Sequence, residues 1–429
     1  MTVARAPVLP LSTEIPMKQP HIHLTDVQGL GQLLVDATLG VTGIVESMHH
    51  TVLGLPRPVG KGRSQPPSGV HGVVYTGLRG SSAGIYGLVR RVTRGVGRAL
   101  DGTVEYLHPE RDPANSSNAR TVAVSILNGV LGDHMQAHRN PLTLGMTWRK
   151  DGRALQVTRS ALARAFPRAS GKILIMLHGH CMNELQWTRN GHNHGEVLSA
   201  ANGYTPLYLR YNTGLHISEN GRALADVLEQ LLIEWPSAVQ EVCIVGYSMG
   251  GVVARSAFHY GEKAHHAWVE KVDKLLFVGT PQHGSMVEQA GNLIDKALEV
   301  SPYSHALSRL GKIRSAGTTD LRHGNVIDED WAGQDRFAHL RDRRQLTPLP
   351  ANVHCYAIAA MIAQEPGEVW SQLVGDGLVP VKSALGKHRD AKRALHLLPE
   401  HQRVFYGMNH LDLLGSKAVC AQLQSWMAQ

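Results

Sequence analysis

The stretch EVCIVGYSMGGVVARSAF, Glu241 to Phe258, decides how the rest of this sequence is read. Val242 to Val245 form an apolar, β-branched run, which predicts a buried strand. GGVVARSAF predicts a helix. Between them lies Gly246-Tyr247-Ser248-Met249-Gly250, a G-x-S-x-G pattern. A strand–serine–helix turn this tight strains the serine and exposes its hydroxyl. Small residues two before and two after it keep the turn free of clashes, and Gly251 lets the helix lie close to the sheet. Ser248 is therefore the candidate nucleophile. A second G-x-S-x-G, Gly80-Ser81-Ser82-Ala83-Gly84, fails on context. A weak strand and an amphipathic helix flank it, and no earlier strand stands ready to supply an oxyanion donor.

Outward from Ser248, short apolar runs alternate with helical patterns. KILIMLHG, TPLYLRYN, EVCIVGYS, KLLFVGTP, NVHCYAIAA and QRVFYGMN read as strands. RALADVLEQLLIEW and GGVVARSAFHYG read as helices, and LTLGMTWRKDGRALQV as a hairpin turning at Lys150-Asp151-Gly152. That alternation predicts an α/β fold with a mostly parallel sheet and helices on both faces. The rhythm breaks over residues 285–350, which read as a cap insertion over the carboxyl edge of the sheet. The α/β domain is expected over 141–429. A loose N-terminal tail is expected over 1–20 and a helical N-terminal region over 21–140. In that region Thr25-Asp26-Val27-Gln28 fits a capping box, and apolar steps of three and four run on to Met48. A second pattern spans residues 84–100, with Arg90, Arg91, Arg94 and Arg98 opposite its apolar stripe. A third runs from Thr121 to Asp133.

A serine hydroxyl needs a base to take its proton, and the base needs an orienting acid. In a fold of this kind they follow the serine in the order acid, then histidine. Asp376, between two glycines in GDGLVPVKSALG, is the candidate acid. His410, just past the last predicted strand, is the candidate base. Asp412 is too close in sequence to orient His410 from behind, and Asp328 and Asp330 lie in the insertion. Acyl transfer also needs N–H donors for the developing oxyanion. The residue after the nucleophile gives one, Met249. The loop after KILIMLHG gives the other, from His180.

The 429 residues, 43% of them hydrophobic, are enough for a large core. The net charge of +8 is spread thinly, with 18% charged residues and no dense basic run mixed with aromatics, so nucleic acid is not expected as a partner. The four cysteines are far apart, which speaks against a disulfide framework, and Cys243 reads as a buried thiol. His178, His180, His192 and His194 raise a metal reading. No cysteine or carboxylate cluster beside them completes a ligand set, and no metal or cofactor is expected. No signal-peptide pattern and no run of about 18 apolar residues is seen, so the expected location is cytoplasmic. The arginine face of residues 84–100 suits peripheral contact with an anionic membrane or polymer surface, although a solvated helix face accounts for it more simply.

With these residues in view, the chain resembles the α/β-hydrolase superfamily. Within it, it is similar to bacterial lipase-like esterases related to the α/β domain of GPI inositol-deacylases. The carriers are HGHCMNELQW, LRYNTGLHISENGR, GYSMGG, VGTPQHGS, RSAGTTDLRHG, GDGLVPVKSALG and NHLDLL, in that order. The resemblance covers about residues 141–429. It implies Ser248, Asp376 and His410 as nucleophile, acid and base, and an oxyanion hole at His180 and Met249. It also implies hydrolysis of esters with hydrophobic acyl groups, without a cofactor. The alternatives are an acyltransferase with the same triad and a surface-binding protein with a vestigial site. Two departures stand out. Tyr247 replaces a common histidine, and His180 replaces a common hydrophobic residue. Neither is expected to touch the triad.

Overall fold

In a computed structural model of the chain the described residues are 25–37, 91, 94, 116–284, 314–334, 342, 344–365 and 375–429. Eight strands form one sheet. They are β1 (Thr147–Lys150), β2 (Arg153–Ala154), β3 (Lys172–Leu177), β6 (Thr205–Arg210), β7 (Glu241–Tyr247), β8 (Val272–Val278), β9 (His354–Met361) and β10 (Gln402–Tyr406). Their order is β10-β9-β8-β7-β3-β6-β1-β2. The six from β3 to β10 in this sheet pair in parallel, and β1 joins β6 antiparallel. A small second sheet pairs β4 (Thr188–Arg189) with β5 (His192–Asn193). The hairpin expected at Lys150-Asp151-Gly152 joins β1 to β2. Asp151 and Gly152 have φ of 50° and 75°, the doubly left-handed turn whose twist matches a two-residue hairpin.

The helices are α1 (residues 25–37), α2 (Asn118–Ala137), α3 (Arg159–Ala165), α4 (His194–Asn202), α5 (Ile217–Glu234), α6 (Met249–Lys263), α7 (Ala316–His323), α8 (Val381–Ala384) and α9 (Lys417–Met427). β3 shows why the sheet needs cover on both faces. Ile173 to Leu177 are all fully buried. Ile173, Ile175 and Leu177 join a core with Leu224 and Leu228 of α5 and Val252 of α6. Leu174 and Met176 join a second core with Leu198 of α4 and Leu423 and Trp426 of α9. Alternation with period two thus feeds two cores from one strand. Each such aliphatic side chain contributes about 1.5–3 kcal/mol on burial.

The strands expected from the sequence are present, and α5 starts five residues ahead of its expected Arg222. Helices α4 and α9 were not anticipated. α4 begins inside the histidine-rich GHNH, where the Asn193 side chain caps it by accepting from the Glu196 N–H at 3.3 Å. The third N-terminal pattern is α2, capped by Ser117. Asp26 of α1 receives hydrogen bonds of 2.7–2.9 Å from the Arg120 guanidinium of α2, both side chains buried. The expected extension of the first helix to Met48 lies outside the described residues. So does the pattern at 84–100, except Arg91 and Arg94, which are helical and exposed. Ser82 and residues 285–313 are also outside them. Among the described residues no helix is long and apolar enough to cross a membrane.

Candidate active site

Ser248 sits between β7 and α6 with φ 52° and ψ −120°. A non-glycine residue rarely adopts a left-handed φ with this ψ, and here the surroundings enforce it. Its N–H donates to the Val278 carbonyl of β8 at 2.9 Å. The flanking glycines have no room for a side chain. A Cβ on Gly246 would lie 2.5 Å from Gly251 Cα, and one on Gly250 would lie 2.4 Å from the Leu177 carbonyl oxygen. The turn therefore closes only with glycine at both places.

Asp376 and His410 come together from loops beyond β9 and β10. Gly375 and Gly377, at φ 55° and 93°, give the backbone the left-handed turns that aim the carboxylate between them. Asp376 Oδ1 accepts from the N–H groups of Leu378 at 3.0 Å and Val379 at 2.8 Å. Oδ2 lies 2.6 Å from His410 Nδ1. The Asp376 carbonyl also accepts from the His410 N–H at 3.0 Å. Both side chains are buried. A carboxylate accepts, so Nδ1 carries a ring proton, which leaves Nε2 as the nitrogen that can take up or give a proton. The ring lies against the end of β8, whose Val278 accepts from the Ser248 N–H: a Cβ on Gly279 would sit 3.1 Å from His410 Cε1. Serine backbone and histidine ring thus meet consecutive residues, Val278 and Gly279.

The rival acids are engaged elsewhere. Asp412 Oδ2 accepts from the Asn409 N–H at 2.9 Å and caps the turn that carries His410. Asp330 accepts from the N–H groups of Val326 and Gln345 at 2.8 Å and 2.7 Å. Asp328 pairs with Arg222.

On the other side of Ser248, the loop after β3 lies against the start of α6. Gly250 would clash with His178 O as well as Leu177 O. Met249 is the first residue of α6, so its N–H has no acceptor within the helix, and the helix dipole favours negative charge there. Among the described residues the His180 N–H also donates no hydrogen bond. His178 stacks on Tyr211 with ring centroids 4.3 Å apart, and Tyr211 Oη donates to the His178 carbonyl at 2.7 Å. Burial lowers the His178 and His180 rings to about 4, so both are neutral at pH 7.

The two departures noted in the sequence both turn out to be structural contacts, and one corrects an expectation. Tyr247 does touch the candidate base: its Oη donates to the His410 carbonyl at 3.0 Å, and its ring centroid lies 4.9 Å from that of His410. His180 Nε2 lies 3.0 Å from Thr318 Oγ1 of α7. Sequence reading missed Thr318 and the neighbouring Thr213, whose Oγ1 accepts from the Cys181 N–H at 3.0 Å. The helix α2 was expected, but not its reach to the same loop: a Cβ on Gly129 would lie 2.3 Å from Cys181 Sγ. Ser315 Oγ donates to the Gly129 carbonyl at 2.6 Å. The motif RSAGTTDLRHG was visible, but not what it holds.

A mostly parallel sheet in this order, with a strained serine at a strand–helix elbow, defines the α/β-hydrolase fold. Within that class, residues 168–347 match the family model of the PGAP1-like alpha/beta domain. Among solved structures the chain is similar to Bacillus licheniformis lipase BlEst2 in mature form, at 17% identity over 59% of this chain and 91% of that one, TM-score 0.37. It is similar to Staphylococcus hyicus lipase at 13% identity over 60% and 94%, TM-score 0.35. It is similar to Aspergillus fumigatus lipase B at 13% identity over 65% and 59%, TM-score 0.38. Comparison with curated proteins finds no match.

Proposed function

We propose that this protein is a serine carboxylic ester hydrolase acting on hydrophobic acyl esters. Ser248 Oγ attacks the ester carbonyl while His410 Nε2 takes its proton. Asp376 holds the ring in the required tautomer and stabilises the imidazolium. The N–H groups of His180 and Met249 receive the developing oxyanion. His410 then protonates the departing alcohol, and water releases the acid from the acyl-enzyme by the same steps. The observation that carries this reading is the buried contact of His410 Nδ1 with Asp376 Oδ2 at 2.6 Å, with the His410 ring against Gly279, next to the Val278 carbonyl that accepts from the Ser248 N–H. Segment 285–350 is assigned to shaping the acyl pocket, on the support that α7 abuts Met249 and bonds His180: a Cβ on Gly317 would lie 3.0 Å from Met249 Cε.

The test is turnover of p-nitrophenyl esters of graded chain length by wild type and Ser248→Ala. Loss of the nucleophile from a working triad costs on the order of 10⁶ in kcat. Equal turnover by the two proteins rejects the reading. Product analysis with added alcohols distinguishes a transferase from a hydrolase.

A further inference from the structure

The histidine pair of GHNH has no part in the chemistry proposed above. His192 opens β5, and His194 opens α4. His194 Nε2 lies 2.8 Å from the Leu413 carbonyl oxygen. A carbonyl only accepts, so Nε2 carries the proton and Nδ1 presents a lone pair. His192 Nε2 lies 2.8 Å from that Nδ1. Cys420, on α9, supplies a third donor. Its Sγ and one ring nitrogen of each histidine all lie within 4.8 Å of one another. Cys420 is a free, buried thiol, His194 is buried, and His192 is half-buried.

We propose that His192, His194 and Cys420 form a binding site for a zinc-class divalent cation, which staples the C-terminal helix to the β5–α4 junction. Two imidazoles and a thiolate select a borderline or soft cation over calcium or magnesium, which take oxygen ligands. Three protein ligands leave the fourth tetrahedral position to water, reachable past the half-buried His192. Zn–N bonds of about 2.0 Å set tetrahedral nitrogens about 3.3 Å apart, so the rings need to separate by only about 0.5 Å. The outer shell is already built. A ligating histidine usually gives its other N–H to a carbonyl or carboxylate, as His194 does to Leu413. Leu413 lies three residues beyond His410, in the same turn. The cation therefore steadies the seat of the candidate base without touching substrate. The competing account is a single N–H···N bond between the rings, with Cys420 only packing. It gives no reason for three donors to converge.

The test uses the full chain, stripped with chelator and titrated with Co²⁺. The expected result is one tightly bound cobalt per chain, with the thiolate-to-cobalt charge-transfer absorption of a tetrahedral site. Cys420→Ser loses that absorption. His192→Ala weakens binding by more than the 10- to 100-fold typical of losing an outer-shell partner alone. If Cys420→Ser does not fold, His192→Ala decides by itself. Saturating Zn²⁺ should also slow alkylation of Cys420 in the native wild-type chain at least tenfold. Cobalt bound without a thiolate band, as at the partly exposed group Asp36, His134 and His138, overturns the proposal. So does a band that survives Cys420→Ser, or an affinity unchanged in His192→Ala. None of these readings depends on ester turnover, so they fail or stand apart from the proposed activity.

Discussion

On one side of Ser248, Asp376 and His410 stand in loops that leave two neighbouring parallel strands, β9 and β10. The Asp376 carboxylate is held by its own backbone and by His410: Leu378 and Val379 hold one oxygen and His410 takes the other, while Tyr247 is the distant group that reaches the His410 carbonyl. On the other side, the His178–Cys181 loop is held by partners from across the chain. Thr318 reaches His180, Thr213 reaches Cys181, and Gly129 of α2 lies against the Cys181 thiol. Close behind, Glu184 pairs with Arg210 and Arg149 in a buried cluster. The candidate acid–base side is held mainly by neighbouring backbone. The candidate oxyanion side is a junction of distant segments. Substitutions on the first should therefore affect the reaction more than stability, and those on the second the reverse.

The largest expected effect tests the local side. Asp376→Asn keeps the shape but presents the wrong hydrogen-bonding partner to His410, and kcat should fall on the order of 10⁴-fold with the melting temperature nearly unchanged. A loss below tenfold would place the acid elsewhere and break the contrast. On the junction side, Glu184→Ala leaves Arg210 without its buried carboxylate, now 2.8 Å from its Nε. Chemical denaturation should show a loss of about 3–5 kcal/mol, the usual result of breaking a buried pair. A loss under 1 kcal/mol would mean that the junction is not held by charge.

The junction also predicts a pH dependence of stability. His178 and His180 have folded values of about 4 through burial, against about 6.5 unfolded. Between these limits the unfolded chain binds more protons than the folded one. Stability is therefore full above pH about 6.5 and falls as pH drops toward 4, by no more than about 3 kcal/mol per ring. His283, also lowered to about 4 by burial, acts in the same direction. A melting temperature flat from pH 7 to pH 5 would contradict this. The smallest effects sharpen the contrast with one hydroxyl from each side. Tyr247→Phe removes the bond to the His410 carbonyl and should lower kcat about tenfold, worth about 1.4 kcal/mol, while costing stability only about 1 kcal/mol. Thr318→Val leaves a polar ring atom of His180 without its partner. It should cost about 1–3 kcal/mol of stability and change kcat less than Tyr247→Phe does. Steady-state kinetics beside thermal melts would rank them, and the opposite ranking would reverse the contrast.

What could be read from the sequence was short in range. β7, the elbow and α6 are contiguous, and a strained serine between close-packed glycines leaves its mark within five residues. Strands buried on both faces show as apolar runs, so the parallel sheet was legible. Asp376 and His410 were legible as candidates because each follows a strand and stands beside glycine or asparagine turn residues. α4 and α9 were not, since α4 starts in a polar, histidine-rich stretch and α9 carries its apolar face only against the second core. Tyr247 was seen as a departure, but its bond to His410 joins residues 163 positions apart. The Thr318 bond to His180 spans 138 positions, and Cys420 meets His192 and His194 across the length of the domain. Chain connectivity and side-chain periodicity write local conformation into sequence. Which distant groups share a buried space depends on how whole layers pack, and that was decided only when the sheet brought its carboxyl-edge loops and its flanking helices together.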